Sequence, residues 1–312
     1  MLNMLRYLVI LLDDMSTSYC HYENKKDKRK LISIEDLKAG ILFGMKENLM
    51  IQFVYPDYDL PQEYKEVIHN IDHTNITPFG CKEQSDVTIF NEWDSFLEAT
   101  LNKSSTYVIR TKLKDFFKYC VYVKEKLENV LRLNIAFTDL ETFTDDDKNS
   151  YIQCLKALSE KVEYLFTNQH FVQLNILTDR IMLEKMNNCG AGDTTITLAP
   201  NGFFYVCPAF YYSDEDYTIG SLYKGLCIKN MQLYKLSHAP LCRNCDAYQC
   251  KRCIWLNHKM TLEVNTPSHE QCVISHLERN SSRDLLMNLR KYGIFMPKIE
   301  IDEIKYLDPF EK

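Results

Sequence analysis

Seven of the eight cysteines from Cys189 to Cys272 form a pattern that constrains this chain more than any other feature of its 312 residues. Cys189, Gly202 and Cys207 give the pattern C-x12-G-x4-C; Cys242, Cys245, Cys250 and Cys253 give C-x2-C-x4-C-x2-C; Cys272 follows alone. Thiolates are soft donors, and this many in one stretch point to bound metal rather than to packing. Two metal classes stay open. A tetrahedral zinc ion takes two cysteine pairs, which Cys242/Cys245 and Cys250/Cys253 could supply. Only four residues separate those pairs, and Cys189, Cys207 and Cys272 are left without a role. Iron–sulfur clusters are larger and draw their cysteines from dispersed positions, so they employ the whole array.

The remaining five of the 12 cysteines read differently. Cys81, Cys120 and Cys154 have no partners in sequence and are expected to be small packed or surface residues. Cys20 lies in the first loop, and Cys227, in an expected helix, matches no spacing of the array. His238, His258, His269 and His276 flank the cluster and read as surface or structural histidines. The net charge of -6 argues against a nucleic-acid-binding surface, because phosphates demand a basic face. No run has the length needed to cross a bilayer. Tyr7–Leu12 is apolar but short, and Asp13-Asp14 follow it without a small-residue cleavage site, so it reads as a buried strand and not as a signal segment. The expected compartment is therefore the reducing cytoplasm, where cysteines stay thiols.

The first 180 residues alternate between two periodicities. Expected strands lie at 5–12, 49–54, 86–90, 106–110, 131–137 and 172–177. Expected helices lie at 33–44, 62–70, 92–100, 112–128 and 145–166, the first opened by Ser33 with Glu35 and Asp36 in its first turn. That alternation implies a parallel α/β unit, as an open sheet or a partial barrel. Near residue 180 glycines and tight turns take over. Thr194–Leu198 and Phe203–Cys207 flank Asn201-Gly202, a strong hairpin signal. Thr218–Leu222 leads into the expected helix, and the tail from Pro297 reads as a strand or a docking arm.

The order of the cysteines resembles the SPASM domain, the auxiliary-cluster domain of many radical S-adenosylmethionine (SAM) peptide maturases. The last two spacings of the four-cysteine group are each one residue shorter than usual there. By that resemblance Cys242, Cys245, Cys250 and Cys272 would hold one [4Fe–4S] cluster, and Cys189, Cys207 and Cys253 a second whose fourth ligand is left open. Gly190 and Gly192 would bring backbone N–H groups toward the cluster sulfurs. Radical SAM enzymes also carry C-x3-C-x2-C after the first strand. Here Asp13 and Thr17 stand at the first two of those positions, and only Cys20 at the third. Tyr55-Pro-Asp-Tyr58 stands where a Gly-Gly-Glu-like stretch usually binds the cofactor.

With the opening Leu8-Val-Ile-Leu-Leu-Asp-Asp14 and the Ser18-Tyr-Cys-His-Tyr-Glu23 loop, the whole is similar to the CXXX repeat peptide maturase family. The resemblance implies a degenerate partial (β/α) TIM-type barrel over 1–180, a SPASM-like iron–sulfur domain over 181–290 and a tail over 291–312. It implies two [4Fe–4S] clusters without bound SAM, in a protein working beside a radical SAM partner enzyme on a cysteine-repeat precursor peptide. The other reading is a zinc-stabilised binding module without a redox role.

Overall fold

Four of the five residues of the first strand, β1 (Tyr7–Leu11), are buried in succession, as a parallel strand covered on both faces requires. In this computed structural model, which describes residues 5–24, 29–186, 189–213, 216–293 and 295–309, the chain continues through α1 (Ile34–Lys46), β2 (Met50–Val54), α2 (Gln62–His69), β3 (Thr74–Pro78), β4 (Val87–Phe90) and α3 (Trp93–Glu98). Next come β5 (Thr106–Thr111), α4 (Leu113–Lys126), β6 (Arg132–Phe137), α5 (Asp145–Thr167), β7 (Gln173–Leu174) and α6 (Thr178–Met182). The last part holds β8 (Thr195–Leu198), β9 (Phe203–Tyr205), α7 (Pro208–Ser213), β10 (Gly220–Ser221), β11 (Gly225–Leu226), α8 (Ile254–Thr261) and α9 (His269–Arg290).

Two compact units each join two stretches: Met1–Ile89 with Cys189–Ala239, and Phe90–Asn188 with Pro240–Lys312. In the first unit the strand order is β11-β10-β9-β8-β1-β2-β3-β4. β1 runs parallel to β2 on one side and to β8 on the other, with Ile10 opposite Phe53 and Leu198. β8 and β9 form the expected antiparallel hairpin. Leu8, Ile10, Phe53, Ile196 and Phe204 are fully buried. Helix α1 begins as the sequence predicts, with the Asp36 N–H donating to Ser33 Oγ.

In the second unit β5, β6 and β7 run parallel, with Ile109 opposite Ile135. Phe116, Phe137, Tyr151, Leu158, Leu285 and Leu286 belong to its buried core, to which α4, α5 and α9 all contribute. Thr144 and Asp147 close a capping box at the start of α5. Cys120 and Cys154 are buried in this core, and the Cys120 thiol donates to the Cys154 carbonyl at 3.8 Å, so both are packing residues.

Four expectations change. β3 is an additional strand; Thr74-Asn-Ile-Thr-Pro78 carries one aliphatic residue and shows no apolar run. The strand expected over 172–177 shortens to β7, because Thr178 Oγ1 accepts the Leu174 N–H and turns the chain into α6. The helix expected after Leu222 is the β10–β11 hairpin instead, so Cys227 follows a strand, its N–H donating to the Ile219 carbonyl. The tail forms no strand among its described residues; Ile301 is buried against the second unit's core. Among the described residues no helix is long and apolar enough to cross a membrane.

Candidate metal centre

Four array cysteines line one cavity of about 240 Å³ in the second unit: Cys242, Cys245, Cys250 and Cys272. A single water needs roughly 10–15 Å³ on that measure, so the space suits a group of several atoms. Short turns and one helix set the four side chains. Cys242 begins a single 3-10 turn, closed by the Cys245 N–H donating to its carbonyl at 3.1 Å. The Cys250 N–H bonds the Ala247 carbonyl at 3.0 Å, so the chain turns again before the next thiol. Cys272 stands in the first turn of α9, which Ser268 caps by accepting the Gln271 N–H.

Hydrogen-bond donors point at the sulfurs. The Ala247 N–H reaches Cys245 Sγ at 3.5 Å and the Arg252 N–H reaches Cys250 Sγ at 3.4 Å, each two residues past its cysteine. Gln271 Nε2 approaches Cys250 Sγ at 3.8 Å. Such donors favour sulfur in its charged, metal-binding form. Without a cation the balance runs the other way. Burial pushes the Cys242 thiol up to about 12, with Cys250 adding to it. Burial likewise pushes Cys245 up to about 11 and raises Cys272 further, and Cys250, Cys242 and Cys245 all add to the shift at Cys272. The thiols are thus close enough to oppose one another's ionisation, and a bound cation would invert that order.

Buried cations stand around them. Arg180, Arg252 and Arg279 are each at most 3% exposed. Asp246, next to Cys245, accepts from Arg279 at 2.9 and 2.7 Å and from Arg180 at 2.9 Å. Burial alone would raise the Asp246 carboxyl; the two guanidinium groups outweigh it and hold the carboxyl below its ordinary range. Thiolates are the counter-charge that such a shell favours. Arg252 and Arg279 also work against burial, lowering Cys242 and Cys245 respectively.

Of the four histidines read as surface or structural, His276 is a buried one that reaches the cavity. It is 4% exposed, lines the cavity, and sets Nε2 at 3.6 Å from Cys245 Sγ while Nδ1 meets the Leu307 carbonyl. A carbonyl partner fixes the proton on Nδ1, and burial lowers the ring's tendency to charge, so a bare Nε2 faces the sulfur. Cys272, Ser275, His276 and Arg279 recur at the spacing of one helix face. Ser268-x2-Gln271 followed by Val273, Ile274 and Leu277 is the signal that marks α9 in the sequence. His238 and His269 are exposed, as expected, and His269 Nδ1 pairs with Asp308. Cys253 is not among the cavity's lining residues; it caps α8, its carbonyl accepting the Asn257 N–H at 2.8 Å.

In the first unit Cys189 and Cys207 come to the same end of β8. The Thr195 N–H donates to the carbonyl of Gly190, next to Cys189. Tyr205 pairs with Thr197, so the antiparallel register carries Cys207 back toward Thr195. Gly190 and Gly192 take φ of +65° and +75°, and a Cβ on Gly192 would sit 2.7 Å from the Tyr234 ring. These glycines make the turn itself: the Gly192 N–H is committed to the Thr195 carbonyl, which differs from the expected role toward sulfur.

The first loop is closed by its own polar groups. Asp13 is fully buried; Oδ1 accepts the Met15 N–H at 2.7 Å and Oδ2 the Tyr58 hydroxyl at 2.7 Å. Arg29 stands 3.7 Å from Asp13 Oδ2, with its guanidinium 3.0 Å from the Tyr58 ring centroid. Burial, then the bond to Asp13, pushes the Tyr58 phenol up to about 12. Thr17 is buried with its N–H on the Tyr55 carbonyl, and Tyr211 donates to Asp14. Among the described residues, no three His, Cys, Asp or Glu side chains converge as donors to a single ion.

No known family matches the sequence, and no curated protein does. Solved structures do match. Histidine-tagged anSMEcpe with bound AdoMet is 13% identical with a TM-score of 0.63, over 93% of this chain and 96% of that one. Native anSMEcpe with bound AdoMet and Cp18Cys peptide is 13% identical with a TM-score of 0.60, over 92% and 100%. The likeness is one of fold: a mixed α/β architecture with a parallel sheet resembling the radical SAM fold, followed by a cysteine-rich region with an antiparallel hairpin.

Proposed function

We propose that this chain is an accessory maturase of the kind the CXXX repeat peptide maturases represent: an iron–sulfur protein acting beside a radical SAM partner enzyme on a ribosomally made cysteine-repeat peptide. One observation carries the reading: four array thiols line a single cavity sized for a polyatomic group. Cys242, Cys245, Cys250 and Cys272 would hold one [4Fe–4S] cluster there, which when bound supplies one-electron transfer. The chain's own part is to keep those sulfurs turned inward, donate to them from the Ala247 and Arg252 N–H groups, and surround them with buried guanidinium charge. Cys189 and Cys207 of the first unit are proposed as ligands of a second cluster. A resemblance of fold to anSMEcpe, solved with a peptide, supports a peptide as substrate.

The first loop supports an accessory role. Asp13 and Thr17, where the initiating motif has cysteines, are buried and committed to Met15, Tyr58 and Tyr55. Hard oxygen donors are poor substitutes for thiolate toward iron–sulfur clusters. The decisive measurement is metal content after anaerobic purification. Iron with acid-labile sulfide near two clusters per chain is expected; zinc alone would establish the binding-module reading instead. Reductant and SAM are expected to give no 5′-deoxyadenosine with this protein alone, and its formation would overturn the accessory role.

A further inference from the structure

The tail returns along α9 to the four-thiol cavity. Arg290, at the far end of that helix, donates from Nη2 to the carbonyls of Met296 at 2.8 Å and Ile299 at 2.6 Å. Arg283 stands 3.7 Å from Glu303. His276 bonds the Leu307 carbonyl and meets the Tyr306 ring edge-on at 5.6 Å, and His269, at the start of α9, pairs with Asp308. From Arg290 back to His269 the helix spans about 31 Å. The chain from Ile299 to Asp308 reaches about 30 Å only when nearly extended. Its two ends are held differently. Ile301 is buried against the core of the second unit, while Asp302, Glu303 and Lys305 after it are exposed. Beyond them Tyr306 and Pro309 line the cavity without supplying a ligand.

We propose that residues 306–309 are a strap that closes the cavity over its metal group, with His269 and His276 as its latches, and that it lifts at residues 302–305 to admit that group. The proposal rests on the metal reading above and adds the route by which the cavity is filled. The turns over 242–250 and the first turns of α9 carry the thiols, so they must stay in place for the group to bind. The strap carries none and can move without displacing a sulfur. A segment outside helix and strand, with exposed residues behind it, opens at low free energy. The latches fix it when closed: Asp308 is buried against His269, and Leu307 accepts from His276. The second latch also touches the site itself, since His276 holds the strap with Nδ1 and faces Cys245 Sγ with Nε2 at 3.6 Å.

The test follows iodoacetamide labelling of each cysteine by mass spectrometry in metal-free wild type, His269→Ala and a chain ending at residue 305. Both variants should label Cys242, Cys245, Cys250 and Cys272 about tenfold faster than wild type, the effect on an opening equilibrium of losing one bond to a charged group. Cys120 and Cys154, buried in the core of the same unit, should keep the wild-type rate and so report an intact fold. Labelling of the four thiols at the wild-type rate in His269→Ala overturns the proposal, whatever the shortened chain does. After anaerobic loading with iron, both variants should lose it to a chelator faster than wild type. Loss at the wild-type rate in His269→Ala overturns the strap and leaves the proposed function standing. Wild type that takes up no metal defeats the proposed function, and the labelling rates still decide whether the strap opens.

Discussion

The cavity on α9 and the loop after β1 solve opposite problems with similar materials. Around the cavity, sulfur is the unsatisfied chemistry: thiols are buried, mutually opposed in ionisation and surrounded by guanidinium groups and N–H donors. In the loop the carboxylate is already satisfied, Asp13 by Met15, Tyr58 and Arg29. A group of opposite character can complete the first arrangement; the second is complete. The difference teaches that donor softness and leftover charge, more than the presence of polar residues, mark where a chain is built to receive something.

The comparison breaks most visibly at Cys245. Replacing it by Ala should remove one cluster, halving iron and sulfide, and lower the melting temperature of the loaded protein, because metal binding contributes directly to folding free energy. Unchanged iron would falsify the ligand assignment. Asp246→Ala comes next. It strips the carboxylate from Arg180 and Arg279, leaving two buried guanidinium groups, and should cost about 3–5 kcal/mol in denaturant titration of the metal-free protein. A far smaller loss in iron-loaded protein would show that thiolates carry part of the counter-charge.

Glu278 sharpens the contrast on the same helix. It accepts from Tyr151 at 2.7 Å and Gln249 at 3.3 Å, and burial raises its carboxyl from 4.5 to about 7. The folded state holds this proton more tightly than the unfolded chain, so the contribution is complete below about pH 4.5 and lost as pH rises through about 7. Glu278→Gln should abolish that decline, on the order of 3 kcal/mol across the window, in stability measured against pH. A slope identical to wild type would show that the carboxyl does not titrate there. Asp13→Ala should have the smallest effect. It leaves the Met15 N–H and the Tyr58 hydroxyl without their acceptor, at about 1–3 kcal/mol of stability, and should leave iron content unchanged. Iron lost from this variant would make Asp13 part of a metal site and erase the comparison.

Much of this was legible without coordinates. The two periodicities placed β1, α1, β2, α2, α4, β6 and α5, because buried strands and amphipathic helices write their burial directly into residue order. Asn201-Gly202 placed the β8–β9 hairpin, because few residues accept the backbone angles of such a turn. The short cysteine intervals marked the turns that carry Cys242, Cys245 and Cys250, while Cys272, on α9, joins them in the cavity from a distance no spacing records. Hydrophobic pattern was silent on β3, whose Asn75 and Thr77 are buried by hydrogen bonds, Asn75 Nδ2 to the Gln84 carbonyl and Thr77 Oγ1 to Ser85 Oγ.

What the tertiary structure decided is which distant residues share an environment. Leu307 fixes the tautomer of His276 across 31 residues, and Tyr211 reaches Asp14 across 197. β8 lies beside β1 although well over a hundred residues separate them, and that pairing gathers Cys189 and Cys207 into the same unit as Cys20. Local sequence carries information about local backbone and about which face is apolar. Contacts made by chain closure depend on how the whole core fills, and no spacing along the chain records them.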